Sequence, residues 1–171
     1  MGGVSRAFLF GKLPAHGDFV ARGLGPDERD GLDRWLSDGL SEARAALGPA
    51  FEDRYDAAPP WRFAGPAGAG ALAPSVDAAG RRFPLMVGVR AEGAGTGAAE
   101  GCELLLYDAL GEGWDADRTL AEAARVAADE GAAATASWWT LGGEGYEPAT
   151  LPGARPAGLF RAMLGYGGAD R

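Results

Sequence analysis

The sequence predicts an α/β fold, with helices packed on a mixed sheet, and three observations predict it. Short apolar runs punctuated by Gly and Pro, clearest in Arg82 to Arg90 (RFPLMVGVR), read as buried strands. A long segment from Asp27 places apolar residues at three- and four-residue spacings, which stacks them on one helix face. The two kinds of segment alternate along the chain, as they do in layered α/β domains.

In chain order, Ser5 to Phe10 reads as a first buried strand closed by Gly11. The segment Gly11 to Gly23 (GKLPAHGDFVARG) begins as a loop, and Phe19, Val20 and Ala21 within it are too few to define a strand. Leu32, Trp35, Leu36, Leu40, Ala43 and Leu47 then mark a helix. Pro26 suits its first turn, Asp27, Glu28 and Asp30 complement the positive end of its dipole, and Gly48-Pro49 stops it. Phe51 to Tyr55 adds a short helical turn before Pro59-Pro60.

Strands at Trp61 to Ala64 and Gly70 to Val76 follow, separated by Gly65-Pro66. Arg82 to Arg90 is apolar nearly throughout, as a strand covered on both faces is, and Pro84 puts it at an edge or at a strand start. Glu92 to Ala98 is a flexible loop by composition. It lacks the Lys-Ser/Thr pair of a phosphate-cradling P-loop, and its spacing misses GxGxxG. Glu100 to Leu110 reads as a helix ending at Gly111, with a strand through Cys102 to Tyr107 as the alternative. Asp117 to Glu130 is an Ala-rich amphipathic helix with an Asp at its N-cap and Gly131 at its end. Ser137 to Leu141 (SWWTL) is a late strand, Pro156 to Leu164 a closing helix, and Gly165 to Arg171 a fraying end.

A chain of 171 residues, 47% hydrophobic and 23% charged, is long enough to bury one core without metal or disulfide staples. Its one Cys, Cys102, forms no internal disulfide, which fits a reducing cytoplasm. The net charge of -8 opposes nucleic-acid and anionic-membrane partners, which require clustered cations. No stretch approaches the roughly 18 apolar residues of a spanning helix, and no leader pattern opens the chain. Neither membrane insertion nor signal-directed export is expected.

Chemistry-bearing side chains gather in two places. The Gly11 to Gly23 segment holds the only Lys (Lys12), the only His (His16), Asp18 and Arg22. A His beside an Asp is a general-base arrangement that still requires a nucleophile, and Ser75 and Ser137 both lie outside any nucleophile-elbow pattern. A small hydrolase or nucleotide-binding enzyme using His16, Asp18 and Ser75 is therefore the alternative reading. The residues favour a loop stapled by its own hydrogen bonds, with Asp18 as the staple. One His and one Cys far apart do not make a zinc site, so neither metal nor cofactor is expected.

The second place is Ala73 to Leu85 (APSVDAAGRRFPL), a hairpin-like turn closed at Gly80 with Asp77 facing Arg81 and Arg82. Either this is an internal ion pair, contributing about 0 to 1 kcal/mol if exposed, or the Arg pair reads an acidic partner. Of the five Trp, the adjacent Trp138 and Trp139 must point to opposite faces of their strand.

Taken in order, GKLPAHGDFVARGL, LDRWL, WRF after a proline pair, APSVDAAGRRFPL and SWWT resemble the N-terminal domain family of TagF, also called ImpM, an accessory to bacterial type VI secretion. The resemblance runs over the whole chain. It implies a three-layer α/β/α sandwich and a cytoplasmic, non-enzymatic, post-translational repressor that engages the forkhead-associated scaffold protein Fha. Some members carry a fused PP2C-type phosphatase domain. None is expected here, so residues 1–171 are read as a single domain without catalytic residues. His16 falls at a slot expected to vary. The residues expected to bind the partner are Lys12, His16, Asp18, Arg22, Ser75, Asp77, Arg81 and Arg82, all from the two loops, where binding residues concentrate.

Overall fold

Strand β1 (Ala7–Gly11) is buried from end to end. Successive side chains point to opposite faces of the sheet, so Ala7 and Leu9 enter one hydrophobic cluster and Phe8 and Phe10 another. A computed structural model of the chain describes residues 6–90, 95–127, 133 and 135–167.

Among the described residues six further strands join β1 in a single sheet: β2 (Val20–Arg22), β3 (Trp61–Gly65), β4 (Gly68–Ala73), β5 (Leu85–Val89), β6 (Ser137–Thr140) and β7 (Ala149–Pro152). Their order is β2-β1-β5-β4-β3-β6-β7. Every pairing is antiparallel, which corrects the expectation of a mixed sheet. The reason lies in the connections. Consecutive strands joined without a helix (β1 and β2, β3 and β4, β4 and β5, β6 and β7) lie side by side and reverse direction, while the helical connections lead to strands that are not neighbours.

Helices α1 (Pro26–Leu47), α2 (Phe51–Ala57) and α5 (Leu159–Leu164) pack with Phe8, Phe10, Trp61, Leu72, Met86 and Trp138. As the spacing predicts, α1 buries Leu32, Leu36, Leu40 and Ala43. The other cluster joins α3 (Thr96–Glu112) and α4 (Ala116–Ala123) to Ala7, Leu9, Ala71, Val87 and Val89.

Several boundaries differ from expectation for identifiable reasons. β2 and β7 are edge strands of three and four residues, too short to show a period. β4 begins at Gly68 and stops at Ala73, before Pro74; beyond it, Val76 meets Arg82 in an isolated bridge. β5 starts only after Pro84. Thr96 to Ala98 forms the first turn of α3 rather than a loop, and the helix runs past Gly111 to a left-handed Gly113. That replaces the strand alternative at Cys102 to Tyr107. α4 is capped by Asp115 and ends at Ala123, well short of Glu130. The expected elements also touched Ser5, 92–94, 128–131 and 168–171, which lie outside the described residues. Trp138 is buried in one cluster and Trp139 packs against the other, as strand alternation requires.

Candidate functional site

The register of the sheet brings the two chemistry-bearing loops together. Gly11 at the end of β1 pairs with Leu85 at the start of β5, so the loop leaving β1 and the segment entering β5 begin at neighbouring points. The Lys12 amide continues this pairing by donating to the Pro84 carbonyl at 3.3 Å.

From there the Lys12 side chain turns inward to Asp77. Its Nζ lies 3.0 Å from Asp77 Oδ2, and both residues are buried. Asp77 also accepts from the Ala79 amide (2.9 Å), the Arg81 amide (3.0 Å) and Arg81 Nε (2.7 Å). Burial by itself pushes the Asp77 carboxyl up. The hydrogen bonds from the Arg81 amide, Lys12, the Ala79 amide and the Arg81 guanidinium outweigh that and hold it well below the usual carboxylate range. This is an Asx turn, closed where Gly80 adopts φ of 79° and donates to the Asp77 carbonyl.

More bonds lock the loops to one another. Ser75 Oγ donates to the Lys12 carbonyl at 2.7 Å, the Ala78 amide to the His16 carbonyl at 2.7 Å, and Arg81 to the Gly17 carbonyl at 2.7 Å. Tyr55 on α2 anchors the base: its hydroxyl donates to the Ser75 carbonyl at 2.9 Å and accepts from the Ser75 amide at 3.0 Å.

The predicted residues thus divide. Lys12, Ser75 and Asp77 form the buried lock between the loops. His16 Nε2 accepts the Ala116 amide at 2.9 Å and satisfies the first turn of α4. Arg22 pairs with Asp117 on α4 at 3.0 Å. Asp18 is exposed and, among the described residues, accepts only the adjacent Phe19 amide, at 2.7 Å, so the staple expected of Asp18 is Asp77.

Arg81 and Arg82 do not act as a pair facing Asp77. Arg81 serves Asp77 and Gly17, whereas Arg82 reaches the other way to Asp56 (2.8 and 2.7 Å) and Glu52 (3.1 Å) on α2. Neighbouring residues of extended chain diverge, which the sequence reading of a joint patch overlooked. The Arg82 guanidinium holds the Asp56 carboxyl below its usual range.

No hydrogen bond joins His16, Asp18 and Ser75 to one another. The polar partner of each side chain is a backbone group. Among the described residues, no group of three or more His, Cys, Asp or Glu is placed to hold a metal ion.

What the lock presents outward is Phe19, 46% exposed, flanked by Asp18 and Arg81. The Phe19 ring stands edge-on to Phe83 at 4.8 Å and stacks with Phe10 at 6.2 Å, and the Lys12 ammonium lies 4.8 Å from its centre. Sequence reasoning passed over Phe19 as part of an extended piece. The available signal was the one aromatic ring other than His16 in the Gly11 to Gly23 segment, set directly beside Gly17 and Asp18.

Both loops fall within residues 9–126, which match the TagF N-terminal domain, type VI secretion system-associated. The chain belongs to the TagF N-terminal domain family. The crystal structure of PA0076 from Pseudomonas aeruginosa PAO1 shares the fold of this TagF domain, with a TM-score of 0.77 and 25% identity over 96% of this chain and 97% of that one. No curated protein matches the chain. The described residues of the TagF domain include no helix long and apolar enough to cross a membrane.

Proposed function

We propose that this TagF domain is a cytoplasmic, non-enzymatic regulator that restrains type VI secretion post-translationally by binding the forkhead-associated scaffold protein Fha. Membership of the TagF family carries the reading, because it ties the chain to type VI secretion. The geometry supports a binding role. Two loops locked by a buried ion pair present Phe19, Asp18 and Arg81 on a rigid base, with Arg22 of β2 held by Asp117 on α4, and interface hot spots concentrate in exposed aromatic and Arg side chains. Lys12, Ser75, Asp77 and Arg82 act beneath that surface by fixing its shape, and His16 ties the first loop to α4. The helices in both hydrophobic clusters support the three-layer α/β/α reading of the fold.

The test combines capture of the TagF domain on tagged Fha with an effector-secretion assay under overexpression. Wild type binds and represses. Phe19→Ala with Arg81→Glu weakens capture about tenfold or more, the scale of an interface hot spot, and relieves repression. Full capture by Asp18→Ala/Phe19→Ala/Arg81→Glu would move the interface elsewhere. Unchanged secretion on overexpression of wild type would overturn the regulator reading itself.

A further inference from the structure

A recess lies at the opposite end of β1 from the locked loops. It encloses about 450 Å³, within the range of roughly 300 to 1,000 Å³ usual for ligand pockets. Its floor follows from the register: Phe8 opposes Gly88, Gly88 opposes Gly70, Gly70 opposes Phe63, and Phe63 opposes Trp138. One row thus crosses five strands with no side chain at two of its inner positions.

The flanking rings lie over the gap. A methyl group on Gly88 would stand 2.5 Å from the Phe8 ring, and one on Gly70 would stand 2.6 Å from the Phe63 ring. The Phe8 and Phe63 centroids are 6.5 Å apart, and Phe63 and Trp138 are 4.6 Å apart. Leu24, Leu32 and Met86 complete an apolar wall.

Two cations stand at the rim. Arg90 is already engaged, with Glu28 at 2.9 Å, the Gly23 carbonyl at 3.0 Å and the face of Phe8. The Arg155 guanidinium is exposed and has neither ion pair nor hydrogen bond among the described residues, while the backbone that carries it is held. Trp138 Nε1 donates to the Ala154 carbonyl at 3.0 Å and Trp35 Nε1 to the Pro156 carbonyl at 3.1 Å, which clamps the backbone on either side. The side chain lies over Gly31, where a Cβ would come within 2.7 Å of a guanidinium nitrogen. A Gly inside α1 costs about 1 kcal/mol relative to Ala, and here the room it leaves is occupied by Arg155.

An unpaired guanidinium on an anchored backbone beside an aromatic floor selects an anion attached to an apolar group. The net charge of -8 makes such a cationic mouth locally distinctive. We propose that this recess docks a peptide segment of a partner protein that carries a large apolar side chain next to Asp or Glu. The apolar side chain rests on the half-buried Phe63 ring, backed by the buried Phe8 and Trp138, and the carboxylate accepts from Arg155 in the two-pronged geometry that guanidinium favours. The rim is backbone from the β3–β4 turn and from 153–155, which offers main-chain groups to a peptide. The site is independent of the Fha-binding surface, so failure of either leaves the other standing.

A dodecapeptide library displayed on phage, selected against the immobilised full chain, tests this, with recovered peptides synthesised and measured by fluorescence anisotropy. Recovered peptides share an apolar residue beside an acid. Changing that acid to its amide weakens binding about tenfold, and Arg155→Glu does the same. Replacing the acid by Lys restores binding to Arg155→Glu. Arg155 is exposed, so an unchanged melting temperature confirms that the variant folds. Selected peptides that lack the acid, or that bind Arg155→Glu as tightly as wild type, overturn the proposal. Arg155-dependent binding of indole-3-acetate with no peptide recovered also overturns it, in favour of a small-molecule site.

Discussion

Lys12 Nζ and Asp77 Oδ2 meet at 3.0 Å beneath the surface, and through this contact the loop after β1 holds the turn before β5. Removing one partner of a buried pair leaves an uncompensated charge, while replacing both by apolar groups avoids that penalty. Lys12→Ala is expected to lower the melting temperature by several degrees. Arg22→Ala, whose partner Asp117 is exposed, should change it little. The double variant Lys12→Met/Asp77→Leu should recover part of the loss. Thermal unfolding of the four proteins checks this, and a Lys12→Ala variant as stable as wild type would show that the pair adds nothing.

The same carboxylate gives a pH dependence with a definite sign. In the folded chain the surrounding hydrogen bonds hold Asp77 well below its ordinary value of 3.8, to which it returns on unfolding. As pH falls, the unfolded chain therefore binds the proton first. The stabilisation is fully present above about pH 5 and is lost progressively below about pH 4. Melting temperatures recorded down to about pH 3 should fall more steeply for wild type than for Asp77→Asn. Parallel curves would mean that Asp77 is not held by these donors.

The long helix α1 and the β5 run were legible because each repeats its signal over many residues. The two loops that the fold locks together also stood out, since uncommon residue types collect there. The direction of the sheet was not legible, because it depends on which strands end up adjacent after the helical connections, and no local pattern encodes that. Nor was the exchange of roles between Asp18 and Asp77. Both are Asp residues in polar turns, and only the register that pairs Gly11 with Leu85 decides which of them faces Lys12. Arg81 and Arg82 were read as one patch because sequence adjacency hides the alternation that sends Arg82 to α2.

Cys102 lies in the cluster between α3 and the sheet, and burial pushes its thiol up to about 12, with Arg6 opposing the shift. Reaction with a disulfide reagent requires the thiolate and access to it. In mildly alkaline buffer the native protein should stay unlabelled by Ellman's reagent over hours, and addition of denaturing urea should release one thiol per chain. Rapid labelling of the native protein would show that α3 opens readily from the sheet.

His16 separates a structural loop from a catalytic one. Its Nε2 accepts the Ala116 amide at 2.9 Å, one of the donors that a helix start leaves without an internal partner. His16→Ala removes that acceptor from a partly buried site and should cost about 1 kcal/mol of unfolding free energy. A Gln side chain can place its amide oxygen near the same point, so His16→Gln should regain most of the loss in urea unfolding. A general base admits no such replacement, because an amide does not take up a proton near neutral pH. If Gln proves no better than Ala, the bond to α4 is not what His16 contributes, and its place between the two loops needs another explanation.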